Sequence, residues 1–357
     1  MTTTENLTVN HILNTAAERG ATDIHFMVGN HPYLRINGQL AALTEEEVIK
    51  PEFLEALIGF FVADEKLELL KEGKELKFVY NWLDKARFRI HLFQQKGYFS
   101  LSLKLIPQQT KSIEELGLPK IVSSFSQAKN GLIIICGPFN SGRSTTCASI
   151  IEAINKNRSE RILYLEEPIE QLYINQQSVI EQREVGIDTA SFSDGLKSAK
   201  DEDINVVAVS KVDSPESMEL LLELSESGRL VLAIMDYDSA ASCLEGIISD
   251  FPESKKQWAK DVLADYLVGI IVQRLIPAVK GGLVLAVEIL ISSSSSKALI
   301  KDGKFINLES IIQTSRAEGM VSLDYSLSQL VTTGKVSQSE ALKYSSDSKS
   351  LRASLKK

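Results

Sequence analysis

The run Gly131-Leu132-Ile133-Ile134-Ile135-Cys136 is apolar without alternation, and it leads straight into GPFNSGRST, Gly137 to Thr145, and then into a helical pattern from about Ser144. A short strand with no polar side must be covered on both faces, the condition met in a parallel sheet flanked by helices. RILYLEE, VVAVS and RLVLAIMD follow, each separated from the next by a helical or polar stretch. Strands alternating with helices predict a parallel α/β sheet for this half of the chain. Helical segments from about Lys255 to Gln273 and a strand at LVLAVEIL are expected next, with Ser292–Ser296 read as a solvated loop. Beyond about Gly334 the chain turns rich in serine and lysine, and residues 334–357 are expected to form a flexible polar tail.

The first part of the chain alternates differently. A helix is expected from about Thr8 to Arg19, closed by Gly20; DIHFMVG and YLRINGQL, with a turn at Asn37-Gly38, read as a hairpin. A second pair of helices spans Lys50 to Leu70, and KFVYNW, ARFRIHLFQQ and FSLSLKLI alternate as strands of an antiparallel sheet. QQTKSIEELGLP reads as a polar connector. The expected organisation is a mixed α+β domain over 1–108, a linker over 109–119 and an α/β domain over 120–333 with a helical C-terminal part.

At 357 residues the chain has room for two cores, and its net charge of -8 offers no basic excess for binding nucleic acid. No run approaches the ~20 apolar residues of a membrane span, and MTTTENLTVN lacks the blocks of a signal peptide, so a cytoplasmic location is expected. The cysteines, Cys136, Cys147 and Cys243, form no ligand-like cluster and read as packed, reduced thiols. All four histidines lie at or before position 91, so the α/β half has no imidazole.

Gly137-x4-Gly142-Arg143-Ser144 fits the phosphate-loop pattern GxxxxGK[ST] except at lysine, and its strand–loop–helix setting is the one that pattern requires. In such loops the backbone N–H groups and the positive end of the following helix hold phosphate, and neither depends on the lysine. The residues expected at a nucleotide are Gly137, Asn140, Ser141, Gly142, Arg143, Ser144 and Thr145, with the Ser144 hydroxyl as a weak metal-ligand candidate. Arg143 keeps the charge of lysine but spreads it over a wider planar fork, and Asn140 tolerates positive φ where glycine is usual. The alternative is a turn of the same shape that binds nothing.

With this loop followed by LYLEEPIEQ, EQREVGIDTASFSDGLKSA, ESGRLVLAIMDYDSAASCLEGIISDFPESKK and QRLI, the chain resembles the type IV pilus retraction (PilT-like) ATPases of the wider type II/IV secretion ATPase family. GATDIHFMVG, ARFRIHLFQQ and SIEELGLP extend the resemblance over nearly the entire length, through Leu330. It implies a PAS-like N-terminal domain, a RecA-like P-loop motor domain, ATP or ADP as ligand, and a hexameric ring, homomeric or mixed. An active retraction or extension ATPase and the inner-membrane pilus platform would be its partners, and the inner-membrane pilus base its peripheral location.

The departures from that family fall at the chemistry. Glu166-Glu167-Pro168-Ile169-Glu170 matches the acidic box IEDPIE and puts Glu166 at the position of a catalytic glutamate. In Val209–Ser214, where the family has VGEMRD, Lys211 replaces a glutamate; in Ile234–Ala240, where it has TLHTTSA, Asp236 replaces the histidine. The HEIM-type motif reads Val287–Leu290, the AIRNLI element reads Ser295–Ile300, and arginines carried by many members fall near Gly97 and Lys104, whereas Arg87 and Arg89 are kept. Phosphoryl transfer relies on a metal, on cations facing the developing charge, and on a group that orients water. An ammonium ~4 Å from a cation opposes its binding by about 4 kcal/mol per unit charge at an effective dielectric of ~20, so Mg²⁺ binding at Lys211 is doubtful.

A direct Lys211–Asp236 ion pair is one expectation; two charges facing solvent is the other. Glu166 reads either as a residual catalytic base or, preferably, as a vestigial acid inherited with the fold. The expected function is a hydrolysis-impaired nucleotide-binding or regulatory subunit of a pilus machine; a slow retraction ATPase and a non-hydrolysing scaffold unrelated to pili are the alternatives.

Overall fold

The computed structural model describes residues 3–62, 67–68, 70, 72–82, 86–106 and 109–355. Two compact units divide the chain, Met1–Gln109 and Thr110–Lys357. In the first unit, α1 (Thr3–Glu18) is followed by β1 (Ala21–Met27), β2 (Tyr33–Ile36), β3 (Gln39–Ala42), α2 (Pro51–Phe61), β4 (Leu76–Trp82), β5 (Ala86–Gln95) and β6 (Tyr98–Ile106). The strands form an antiparallel sheet in the order β3-β2-β1-β6-β5-β4. Alternate residues of β5, from Ala86 to Leu92, are buried, so one face meets the core. Ile12 and Leu13 of α1 and Leu54, Leu57 and Ile58 of α2 pack there against Phe26, Phe88, Ile90 and Leu103. Asn37 (φ 52) and Gly38 (φ 82) make the β2–β3 turn at the expected place, both in the left-handed region that suits the twist of a tight hairpin. Of the helix pair expected over Lys50–Leu70, residues 63–66 and 69 lie outside the described residues.

The second unit begins earlier than the expected domain. Ile113 and Leu118 of the expected linker are buried against Val122 and Phe125, and the Ser149 hydroxyl donates to the Lys111 carbonyl at 2.6 Å. After α3 (Ile121–Phe125) come β7 (Gly131–Cys136), α4 (Arg143–Asn157), β8 (Arg161–Glu166), β9 (Val179–Glu184), α5 (Phe192–Asp201), β10 (Val206–Val209), α6 (Pro215–Glu226) and β11 (Leu230–Met235). Then follow α7 (Ala240–Asp250), α8 (Glu253–Tyr266), β12 (Leu267–Pro277) and β13 (Leu283–Ile291). The sheet order is β13-β12-β7-β11-β10-β8-β9, parallel from β12 to β9, with β13 antiparallel to β12. Leu132, Ile134 and Cys136 of β7 enter one core and Ile133 and Ile135 the other, which is why the strand has no polar side.

Three expectations are corrected. The helical reading of Lys255–Gln273 fails after Tyr266, because LVGIIVQRLIP is the strand β12, whose β-branched residues pack beside β7. Ser292–Ser296 is a helix start, not a loop: Ser293 caps α9 (Ser294–Lys301) in a reciprocal capping box with Ser296, which is fully buried. After α10 (Leu308–Thr314) and α11 (Leu323–Thr332), the expected flexible tail holds α12 (Gln338–Tyr344) and α13 (Ser348–Ser354). Val336, Ala341 and Leu351 are buried there against Ile276, Ala286, Leu323 and Leu327, giving the polar-looking segment enough apolar contact to order it.

Candidate nucleotide site

The loop after β7 is shaped by backbone requirements that its sequence meets. A Cβ on Gly137 (φ 147) would stand 2.5 Å from the Gln273 carbonyl oxygen and 2.5 Å from Ser141 Oγ, so no side chain fits there. Asn140 adopts φ 62, the conformation that asparagine tolerates among residues with side chains, and Gly142 (φ 90) caps the N-terminus of α4 in the left-handed region. The first turn of α4 turns its free N–H groups toward the mouth of the loop, with Ser144 and Thr145 exposed beside them. Ser141 and Gln273 are 2% and 1% exposed, and Ser141 Oγ and Gln273 Oε1 find no hydrogen-bond partner among the described residues. Gln273, from β12, was not singled out by the sequence reading; the parallel pairing of β12 with β7 brings it beneath the loop.

The charged residues pair differently from expectation. Cys136 and Met235 lie opposite each other in the β7–β11 register, so the end of β11 flanks the loop. From α4, Arg143 Nη1 donates to the Met235 carbonyl at 2.7 Å and to Asp236 Oδ1. Lys211 Nζ donates instead to Glu167 Oε2 at 3.2 Å and lies 5.9 Å from the centre of the Phe192 ring. The expected Lys211–Asp236 pair is therefore replaced by two separate ones, Arg143–Asp236 and Lys211–Glu167. β11 lies between β7 and β10, so its end reaches the loop's Arg143; β10, which leads to Lys211, has β11 on one side and β8 with its acidic end on the other, and the lysine pairs on the β8 side.

Glu166, the last residue of β8, is 4% exposed and accepts a hydrogen bond from Gln182 Nε2 of β9 at 2.9 Å. The same amide nitrogen donates to the Gln171 carbonyl at 2.6 Å, tying the acid to the segment that leads into β9. Burial also governs the thiols: Cys136, Cys147 and Cys243 are all buried, and desolvation pushes Cys147 up to about 12. Beside the site, a cavity of about 290 Å³ is lined by Asp238, Ser239, Arg274, Glu288, Asp324 and Tyr344 among others. Glu288 accepts from the Ala240 N–H at 2.8 Å at the start of α7, and burial raises its carboxyl above the ordinary range.

Strand ends in a row, a glycine-shaped loop and a helix N-terminus meet at the carboxyl edge of a parallel sheet, the arrangement at which open α/β folds bind anionic ligands. The profile of the type II/IV secretion system proteins matches residues 2–282. The chain belongs to this family. Among type II/IV secretion system proteins, it is 31% identical to the type IV pilus retraction ATPase PilT of Pseudomonas aeruginosa, over 93% of this chain and 96% of that one. It is 30% identical to the type IV pilus ATPase PilU of the same organism, over 97% and 90%. The crystal structure of the pilus retraction motor PilT with bound ADP aligns at a TM-score of 0.83 and 33% identity, covering 96% of this chain and 98% of that one. The fold is thus the expected one, an N-terminal α+β domain followed by a RecA-like P-loop ATPase domain.

Proposed function

We propose that this member of the PilT/PilU-like motor family binds ATP or ADP but is impaired in hydrolysis, and serves as a nucleotide-binding or regulatory subunit of a hexameric type IV pilus machine. The ring would be homomeric or shared with an active motor, at the cytoplasmic face of the inner-membrane platform. The loop supports binding: Gly137, Asn140 and Gly142 hold the required backbone, and the N–H groups at the start of α4 supply positive ends that arginine-for-lysine leaves intact.

The observation that carries the impairment is the pairing of charges. Arg143 is engaged with Met235 and Asp236, and Lys211 neutralises Glu167 where the family resemblance calls for an acid that helps hold metal. The residues present do not fit Mg²⁺: the Ser144 hydroxyl remains as a ligand, but an ammonium stands beside Glu167, so no step is assigned to a metal. Glu166 keeps a buried carboxylate, the one feature that favours a slow ATPase over a silent one, yet a base with no metal and with the loop's cation drawn off by Asp236 accelerates little.

Nucleotide binding measured with and without Mg²⁺, together with phosphate release, tests this reading. ADP and ATP are expected to bind with an affinity that ignores Mg²⁺, and phosphate release to stay at background. Release at rates of 1 per second or more, on the order of ordinary enzyme turnover, would overturn it, and absence of any binding would leave only a scaffold role.

A further inference from the structure

We infer that Asp236 is a built-in competitor for nucleotide phosphate, seated on the cation of the phosphate loop itself. The inference rests on the nucleotide-binding reading above and deepens it. Arg143 is the first residue of α4, and its guanidinium does not project freely into the mouth of the loop; Nη1 is shared between the Met235 carbonyl and the Asp236 carboxylate. The two partners have unequal surroundings. The Arg143 side chain is 14% exposed and that of Asp236 is 78% exposed.

That asymmetry sets the order of exchange. The arginine is held by a neutral backbone oxygen and by packing, so it stays when its charged partner leaves. Asp236, already mostly in water, regains hydration at little cost when it swings away, as exposed ion pairs do. A diphosphate arriving at the N-terminus of α4 therefore meets two states. With Asp236 on Arg143 the loop offers only backbone dipoles and carries no net side-chain charge. With Asp236 displaced, the guanidinium fork faces the phosphate oxygens, a geometry it matches well. Asp236 thus lowers affinity twice, by occupying the cation and by placing a negative charge near the ligand, and it makes occupancy of the site responsive to ionic strength.

Calorimetric titration of the full chain with ADP, and separately with inorganic pyrophosphate, tests the exchange in Asp236→Asn, Arg143→Gln and the double variant. Asp236→Asn is expected to bind both probes about three- to tenfold more tightly at low salt, a gain of the size expected when a partly exposed competing charge is removed, and to lose most of it by about 0.5 M salt. In the Arg143→Gln background the same change is expected to gain less than about twofold, because the cation it frees is absent. Equal tightening in both backgrounds would overturn the inference by reducing Asp236 to general repulsion, and so would an Asp236→Asn variant that binds like the parent. That last result leaves the nucleotide-binding reading standing; failure of the parent and of a folded Asp236→Asn variant to bind either probe would end both. Matching thermal unfolding midpoints establish that the variants are folded.

Discussion

Glu288 shows at the scale of one residue how position, not residue type, sets behaviour. Its carboxyl is raised above the usual range chiefly by burial at the wall of the cavity, with the Ala240 N–H opposing the shift. The sign follows from linkage. The unfolded chain loses this proton near pH 4.5, while the folded chain holds it longer, so the native state is favoured at low pH and loses stability as the pH rises through 4.5 toward the higher folded value. Glu288→Gln removes that loss and retains an acceptor for Ala240. Its thermal midpoint is expected to exceed the parent's by roughly 1–3 °C at pH 8 and to match or fall below it at pH 4; an equal shift at both values would mean that ionisation plays no part. The loop residues were legible for a related reason: Gly137, Asn140 and Gly142 answer local backbone demands that depend on few other residues. Which acid meets Arg143 was not, because an ion pair between residues 93 apart is set by strand order.

At the scale of elements, the C-terminal helices are the instructive case. Each of α12 and α13 spans seven residues, far too short to hold in water unaided. Their caps could have been seen in the sequence: Ser337 accepts from the Glu340 N–H, and Asp347 from those of Lys349 and Ser350. The anchor is Leu351, 1% exposed, seated in the cluster with Ile276 and Leu327. Leu351→Ala is expected to destabilise the protein by about 2–5 kcal/mol in urea unfolding, while the neighbouring exposed Lys349→Ala changes it by no more than about 0.5 kcal/mol. Indifference to both would mean that the segment contributes nothing to the fold. A high serine and lysine content hid this element, since three buried residues among sixteen charged, serine and glutamine residues leave no periodic signal. β12 was hidden by the opposite fault: a long apolar run after a real helix reads as more helix until its strand partner is known.

At the scale of the molecule, the site is assembled from the ends of separate strands, and its parts are expected to act together. Restoring Arg143→Lys alone leaves a cation still facing Asp236, and restoring Lys211→Glu alone places a new acid beside Glu167 with the loop unchanged. The triple variant Arg143→Lys, Lys211→Glu and Asp236→His is expected to release phosphate at least about tenfold faster than any single one, because the groups serve one transition state. Full recovery from Arg143→Lys alone would show that the pairings at β10 and β11 are incidental.

The sequence by itself determined the class of each half and the shape of the phosphate loop, because hydrophobic period and backbone conformation are written within a few neighbouring residues. Only the tertiary structure decided that Arg143 is held by Asp236, that Lys211 turns to Glu167, and that the serine-rich end is folded. Those outcomes depend on which strands adjoin, on the contact area shared by distant segments, and on which charge a neighbour brings within reach.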